Sequence, residues 1–184
     1  MHHTRYAAIL AACLSLACSS KVLADEAATT VFYQLGPMAV HGNGADLFQI
    51  SGGVFGFTDS KDTAAAVNLE YRFGRKLFLI GPAYGLMANT DGGLYGYAAA
   101  YLDLSWNDIF VTPLVAIGGW REGNSRDLGG VFQFRTSVDL AVRLIDGSRI
   151  GLRVAHISNA NVHKSNPGDE ELYLTYAIPL GPFL

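Results

Sequence analysis

Apolar side chains occupy alternate positions along most of the chain beyond residue 44. Successive side chains of a β-strand point to opposite faces, so this period of two is typical of strands with one apolar face. Clusters of Gly, Asp, Asn and Ser, which favour turns, separate the alternating segments, and no helical period interrupts them. The pattern predicts eight strands, at residues 46–57, 64–73, 77–88, 94–104, 109–118, 132–144, 149–158 and 171–180.

Charged residues on the polar faces indicate the kind of β-fold. In the sixth predicted strand Val138 and Leu140 share one face, while Asp139 and Arg143 share the other. A soluble sandwich keeps its charges on the solvent face, whereas a small barrel in lipid turns apolar side chains outward and pairs charges inside. We therefore expect an all-β fold, an eight-stranded antiparallel transmembrane β-barrel. A salt-bridge network, favoured over a proton or ion pathway, is expected in its lumen from Glu70, Arg72, Asp103, Asp139, Arg143 and Arg153.

The connections between the predicted strands orient the barrel. Residues 119–131 and 159–170 form long connections, whereas 105–108 and 145–148 are short. Outer-membrane barrels have short periplasmic turns and longer external loops. Both chain ends are therefore expected in the periplasm, and the seventh predicted strand runs outward. Residues 25–44 either lead into the first strand or form part of it.

Residues 1–24 have the pattern of a secretory signal peptide. Arg5 precedes a long apolar run, and suitable small or apolar residues stand before a cleavage point after Ala24. Cleavage there leaves residues 25–184 as the barrel domain. The alternative is a lipoprotein processing site at Cys13.

Composition narrows the class of protein. The 184 residues include 13 Lys and Arg against 16 Asp and Glu, and the net charge changes from −3 to −5 when Arg5 and Lys21 leave with the signal peptide. This balance provides no basic surface for nucleic acid, so no nucleic-acid partner is expected. Both cysteines, Cys13 and Cys18, also leave, so no disulfide stabilises the mature chain. A monomer and a homodimer are both left open.

His156 and Ser158 are polar residues on an otherwise apolar face. They follow Leu152 and Val154 in steps of two, so they point toward lipid, where a polar group costs free energy unless it is paired, interfacial or functional. Residues two apart on a strand lie about 7 Å apart at Cα, near enough for an imidazole to accept a serine proton. Glu170 starts the neighbouring strand with the same orientation. The three residues predict a serine nucleophile, a histidine base and an orienting acid; the alternative is a polar belt at the barrel rim.

The residues around this trio are similar to a known family. The segments His-Ile-Ser-Asn-Ala at 156–160 and Asn-Pro-Gly at 166–168, together with Glu170, resemble the active-site segment of the lipid A 3-O-deacylases, the PagL-type outer-membrane enzymes. The resemblance implies that Ser158 attacks an ester of lipid A, that His156 is the general base and that Glu170 completes the triad. It also implies that Asn166 contributes to the oxyanion hole and that Asn159 orders the loop.

Two of these assignments have alternatives. Asn166 precedes a proline, and Asn-Pro pairs favour turns, so its alternative role is that of a turn residue. Glu171 is the rival acid: strand alternation turns it inward, but a β-bulge at the strand start would exchange it with Glu170. His41 and His163 are interpreted as loop residues and are assigned no role.

These observations lead to a functional expectation. We expect an outer-membrane serine esterase that hydrolyses the 3-O-linked acyl chain of lipid A, with lipopolysaccharide and outer-membrane lipid as its partners. The mechanism needs no cofactor and no metal, and the acidic run 169–171 is interpreted as a solvated loop in preference to a divalent-cation site. The other function classes are a non-catalytic structural or adhesive barrel and an outer-membrane phospholipase.

Overall fold

The computed structural model describes residues 29–58 and 63–180, and the predicted signal peptide lies outside them. The described residues contain no helix that is long and apolar enough to cross a membrane. They form eleven strands. In chain order these are Val31–Leu35 (β1), Met38–His41 (β2), Asp46–Phe55 (β3), Ala64–Arg72 (β4), Gly81–Asn89 (β5), Leu94–Tyr101 (β6), Leu104–Trp106 (β7), Ile109–Arg121 (β8), Phe132–Arg143 (β9), Arg149–Ser158 (β10) and Asp169–Leu180 (β11).

Eight of these strands, β3 to β6 and β8 to β11, close into an antiparallel barrel. Neighbours along the chain pair with one another, and β11 pairs with β3 to complete the ring. A row of paired residues that starts at Ile109 on β8 passes once around the barrel and returns to β8 at Gly119, ten residues further along. This stagger tilts the strands, as a closed barrel requires. The predicted eight-stranded antiparallel barrel is confirmed.

Some strand ends differ from the predictions. β5 begins at Gly81 and not at residue 77, because Leu77 and Ile80 pair across a tight turn in which Phe78 has a left-handed φ of 57°. The connection before β5 is therefore longer than predicted, and loop lengths alternate less regularly. We call the rim with residues 122–131 and 159–168 the upper rim, and the rim with residues 107–108 and 144–148 the lower rim.

The outer surface of the barrel is apolar. Along the barrel strands, the side chains that alternate with the buried ones stay exposed, and most of them are aliphatic or aromatic. A surface of this kind is typical of a barrel that lipid surrounds. Examples on six different strands are Leu69, Leu86, Val115, Leu140, Leu152 and Leu174.

Charged side chains fill the lumen and neutralise one another. Arg153 donates to Glu70 at 2.8 Å and to Asp139 at 3.0 Å, and Arg72 pairs with the same two carboxylates. All four residues are buried. Two guanidinium groups thus face two carboxylates, which compensates the cost of removing these charges from water. The predicted lumen network is confirmed for these four residues.

The other two members of the predicted network lie at the lower rim. Asp103 is buried there and pairs with Arg149 at 3.0 Å and with Lys76 at 3.4 Å. Arg143 is exposed and donates to Asp108 at 2.8 Å. The prediction that places Arg143 in the lumen is wrong, because β9 ends at this residue and its side chain lies beyond the closed part of the barrel.

An N-terminal hairpin, which the alternation does not predict, extends the barrel wall at the lower rim. β1 pairs with β2, and β2 adds to β7, the short strand that follows β6. All five β1 residues are exposed. The hairpin borders a cavity of about 690 Å³ whose lining also includes Arg149 and Leu180. The described part of 25–44 is therefore a separate hairpin that leads into β3.

His41 secures this hairpin to the barrel. Its Nε2 atom lies 2.7 Å from Ser105 Oγ, and its ring stacks on Phe110 with the centroids 5.1 Å apart. Burial lowers the pKa of His41 below its ordinary value, although the nearby Asp103 carboxylate opposes the shift. The interpretation of His41 as a loop residue is wrong, since it is a buried residue of β2.

Candidate active site

The upper ends of β10 and β11 bring His156 and Glu170 together. The two residues are direct partners in the antiparallel register, and both point to the exterior. His156 Nδ1 lies 3.3 Å from Glu170 Oε1, and the side chains are 48% and 39% exposed. A carboxylate in this position orients an imidazole and stabilises its protonated form. The pair therefore has the geometry of a general base with its supporting acid.

Ser158 is the last residue of β10 and lies on the same face as His156. Its partner across the ladder is Phe134 on β9. Among the described residues its hydroxyl makes no hydrogen bond, to His156 or to another group. The structure thus places the three predicted residues at one rim, with the base and the acid in contact and the serine beside them.

Glu171 lies on the opposite side of the barrel wall. It is buried in the lumen, where its carboxylate pairs with Arg135. The carboxylate that reaches the exterior near His156 is therefore that of Glu170.

Thr58 is a residue of this site that the sequence does not predict. Its hydroxyl donates to Glu170 Oε2, while Oε1 is the oxygen that faces His156. The backbone N–H of Gly56 donates to the Glu170 carbonyl at 2.8 Å, so the residues after β3 run alongside β11. Thr58 and Glu170 are 112 positions apart in the chain. A contact over this separation leaves no signal in a local pattern.

Two asparagines organise the connection between β10 and β11. Asn166 Oδ1 accepts a hydrogen bond from the Asn159 backbone N–H at 2.8 Å. The buried Asn159 side chain donates through Nδ2 to Ser165 O at 2.6 Å and to Leu128 O at 2.8 Å. Asn159 therefore ties the β8–β9 loop, which contains Leu128, to the loop that carries Asn166.

The backbone at Gly168 passes close to His156 and Ser158. A Cβ atom at this position would lie 3.1 Å from His156 Cε1 and 3.4 Å from Ser158 Cβ. Gly168 also has a φ of +64°, in the left-handed region that favours glycine. The loop can approach the histidine this closely because residue 168 has no side chain.

The acidic run at the start of β11 does not converge on one point. Asp169 is buried and lies 3.9 Å from Arg126, Glu170 faces His156, and Glu171 pairs with Arg135. In residues 29–58 and 63–180, no group of three or more His, Cys, Asp or Glu side chains is arranged to hold a metal ion.

The chain combines a closed eight-stranded barrel with a histidine–carboxylate pair and a serine on the apolar exterior. These features are those of a class of small β-barrels that have a hydrolase-like site on the lipid-facing side. Comparison with protein families gives the family of the chain. The family model "Lipid A 3-O-deacylase (PagL)" matches residues 63–179, so the chain belongs to that family. The matched segment includes His156, Ser158 and Glu170, whereas Thr58 and the β1–β2 hairpin precede it.

Two curated relatives are similar over shorter segments. "Lipid A deacylase PagL" of Bordetella bronchiseptica is 43% identical over 49 residues, which is 27% of this chain and 28% of the relative. "Lipid A deacylase PagL" of Pseudomonas aeruginosa is 31% identical over 67 residues, which is 36% of this chain and 38% of the relative. The similar segments thus span well under half the length of either relative.

A solved structure has a similar fold. It is described as "Crystal structure of the outer membrane enzyme PagL", and it superposes with a TM-score of 0.55 at 17% sequence identity. The superposition covers 73% of this chain and 99% of that chain. At this identity the likeness supports the barrel architecture.

Proposed function

We propose that this protein is an outer-membrane serine esterase that removes the 3-O-linked acyl chain of lipid A. The observation that carries the proposal is the 3.3 Å contact between His156 Nδ1 and Glu170 Oε1, beside Ser158 on the apolar exterior of the barrel. Membership of the lipid A 3-O-deacylase family and the two curated relatives named as lipid A deacylases support this choice of substrate.

In the proposed reaction Ser158 is the nucleophile. Its hydroxyl rotates toward His156 Nε2, which takes the proton as Oγ attacks the ester carbonyl, and Glu170 stabilises the resulting imidazolium through Nδ1–H. Collapse of the tetrahedral intermediate breaks the bond to the 3-oxygen of the sugar, and this oxygen takes the proton from His156. His156 then takes a proton from a water molecule, which attacks the carbonyl of the acyl-enzyme. This step releases the fatty acid, and the proton returns from His156 to Ser158.

Asn166 is proposed to stabilise the oxyanion. Its Oδ1 atom already accepts from the Asn159 backbone, so Nδ2 is the part of the amide that remains to donate to substrate. A single donor of this kind contributes about 10²–10³ to kcat in other hydrolases.

The barrel surface beside the site suits an acyl chain. Val154 and Leu172 are partners in the register, two residues below His156 and Glu170, and both are exposed. An acyl chain can lie against this row while its ester stays level with Ser158.

Lipid A belongs to the outer leaflet of the outer membrane, so we place the upper rim at the external surface, with both chain ends in the periplasm. The reaction then needs no cofactor and no metal, and the substrate does not have to leave the membrane.

Mass spectrometry of lipid A from Gram-negative cells that lack such an enzyme tests the proposal. Cells that express this protein should lose one hydroxyacyl group, whereas Ser158→Ala and His156→Ala should leave lipid A intact. The double variant should be no worse than either single variant, because triad members act as a unit. Ser137→Ala is the matched control, since this buried serine on the lumen side lacks a hydrogen-bond partner among the described residues.

Each other outcome selects a different function. Unchanged lipid A with cleaved phospholipids would identify a phospholipase that uses the same trio. Unchanged lipid A and phospholipids, with a correctly inserted barrel, would identify a non-catalytic structural barrel. An active Ser158→Ala variant would overturn the assigned nucleophile.

A further inference from the structure

We propose that Thr58 is a positioning residue for the triad acid. Its hydroxyl holds the Glu170 carboxylate in the orientation that presents Oε1 to His156. The inference rests on the proposed function, because it gives Thr58 a part in the same reaction. Thr58 precedes the segment that the family model matches, which begins at residue 63.

Glu170 lies between the ends of two neighbouring strands. β10 presents His156 on one side, and the continuation of β3 presents Thr58 on the other. The N–H groups of Gly56 and Phe57 both donate to the Glu170 carbonyl, at 2.8 and 3.3 Å, so this continuation stays attached to β11 beyond the end of β3. The Thr58 side chain is therefore carried on backbone that is fixed to Glu170 itself.

The two oxygens of the Glu170 carboxylate have different partners. Oε1 faces the imidazole and Oε2 accepts from the Thr58 hydroxyl. A glutamate has three side-chain torsions, and this one is 39% exposed, so its hydrogen-bond partners do much to restrict the carboxylate to one rotamer. A hydroxyl that donates to an ionised carboxylate makes one of the stronger hydrogen bonds. With both oxygens bonded, the acid is oriented before the substrate arrives.

This arrangement predicts how the loss of the Thr58 hydroxyl affects catalysis. Thr58 contacts the acid and not the serine or the histidine, so its removal should leave substrate binding unchanged and slow the chemical step. We expect Thr58→Val, which keeps the shape of the side chain, to lower kcat about tenfold with KM within about twofold, as the loss of one charge-assisted hydrogen bond implies. Thr58→Ser keeps the hydroxyl and should restore most of the rate.

A double-mutant cycle on the full-length protein in detergent or liposomes separates positioning from a structural role. If Thr58 acts through Glu170, Thr58→Val should have no further effect in a Glu170→Ala background. An equal loss in both backgrounds, or a Thr58→Val loss that Thr58→Ser does not rescue, would overturn the proposal. So would a Thr58→Val protein with normal kcat. Heat-modifiability on gels checks that each variant is a folded barrel.

Failure of this inference is distinguishable from failure of the proposed function. An inactive Ser158→Ala protein together with a fully active Thr58→Val protein contradicts the role of Thr58 alone. A Ser158→Ala protein that deacylates lipid A at the normal rate contradicts the triad itself and, with it, the reason for positioning Glu170.

Discussion

Glu170 and Glu171 are consecutive in the chain and lie on opposite sides of the barrel wall. Glu170 contacts His156 on the exterior, and Glu171 pairs with Arg135 in the lumen. The register of β11 is regular at this point, since Glu170 pairs with His156 and Glu171 with Ala155. One residue of spacing along a strand therefore separates a carboxylate that faces His156 from a carboxylate that compensates a buried charge.

Substitution of the two glutamates should give opposite results. Glu170→Gln should lower the deacylation rate and leave stability unchanged, because its side chain is on the surface. Glu171→Gln leaves the buried Arg135 charge without its partner, which should cost about 3–5 kcal/mol of stability. Deacylation assays and urea unfolding in liposomes would measure both effects. If Glu171→Gln instead matches the catalytic defect of Glu170→Gln in a stable barrel, the acid is assigned to the wrong residue.

Asn166 should be needed for a normal kcat if its side-chain amide donates a hydrogen bond to the oxyanion. Asn166→Ala should lower kcat by about 10²–10³. Asn166→Asp is the sharper variant, because it keeps the Oδ1 acceptor for the Asn159 backbone and loses the donor. It should be at least as inactive as the alanine variant, and Lys164→Ala in the same loop serves as the control. An active Asn166→Asp enzyme would show that the residue serves only the turn.

Gly168→Ala should damage activity more than stability. The new methyl group would press on His156, whose Cε1 atom would lie 3.1 Å away, and the left-handed backbone adds strain of about 1–2 kcal/mol. Gly36→Ala is a matched control: Gly36 has a similar φ of +58°, but a Cβ atom there meets no neighbour within 4 Å. Both variants should lose similar stability in unfolding experiments, and only Gly168→Ala should lose activity, by at least about tenfold, which corresponds to about 1.4 kcal/mol. Equal activity in the two variants would contradict the close approach of the loop.

Acid pH should loosen the N-terminal hairpin. Burial lowers the pKa of His41, so the docked hairpin favours the neutral imidazole, and a detached hairpin, in which His41 regains its ordinary pKa, takes up the proton more readily. Docking is therefore complete above about pH 6.5 and weakens as the pH falls below that value. Hydrogen exchange of the β2 amides between pH 8 and pH 5 would measure this change. His41→Gln does not titrate and should remove the pH dependence; an unchanged pH profile in that variant would assign the effect to another group.

The sequence predicts the barrel well because the pattern that identifies each strand lies within that strand. Alternation in each strand depends only on whether neighbouring side chains face lipid or lumen. The same alternation places Glu170 on the outer face and Glu171 on the inner face. The contact of Thr58 with Glu170 depends on β3 and β11 being neighbours after closure, which no local pattern encodes. The β1–β2 hairpin has no alternation because all of β1 is exposed. Arg143 is on the inward-facing side of the alternation in β9. It lies at the end of the strand, however, where the alternation no longer determines whether a side chain is buried.

The ion pairs across the lumen also determine what can pass through the molecule. The hydrogen bonds of Gln49, Glu70, Tyr97, Asp139, Arg153 and Glu171 join side chains from six of the eight barrel strands. Arg153 bonds both Glu70 and Asp139 across the lumen, so a solute that entered the barrel would have to displace charged side chains from their partners. The charged interior thus acts as a plug, and under the proposed function the lipid substrate and the released fatty acid move along the outer face of the barrel, where Ser158 lies. Under the proposed function, a membrane that contains this protein remodels its surface lipids while the barrel interior stays closed to solutes.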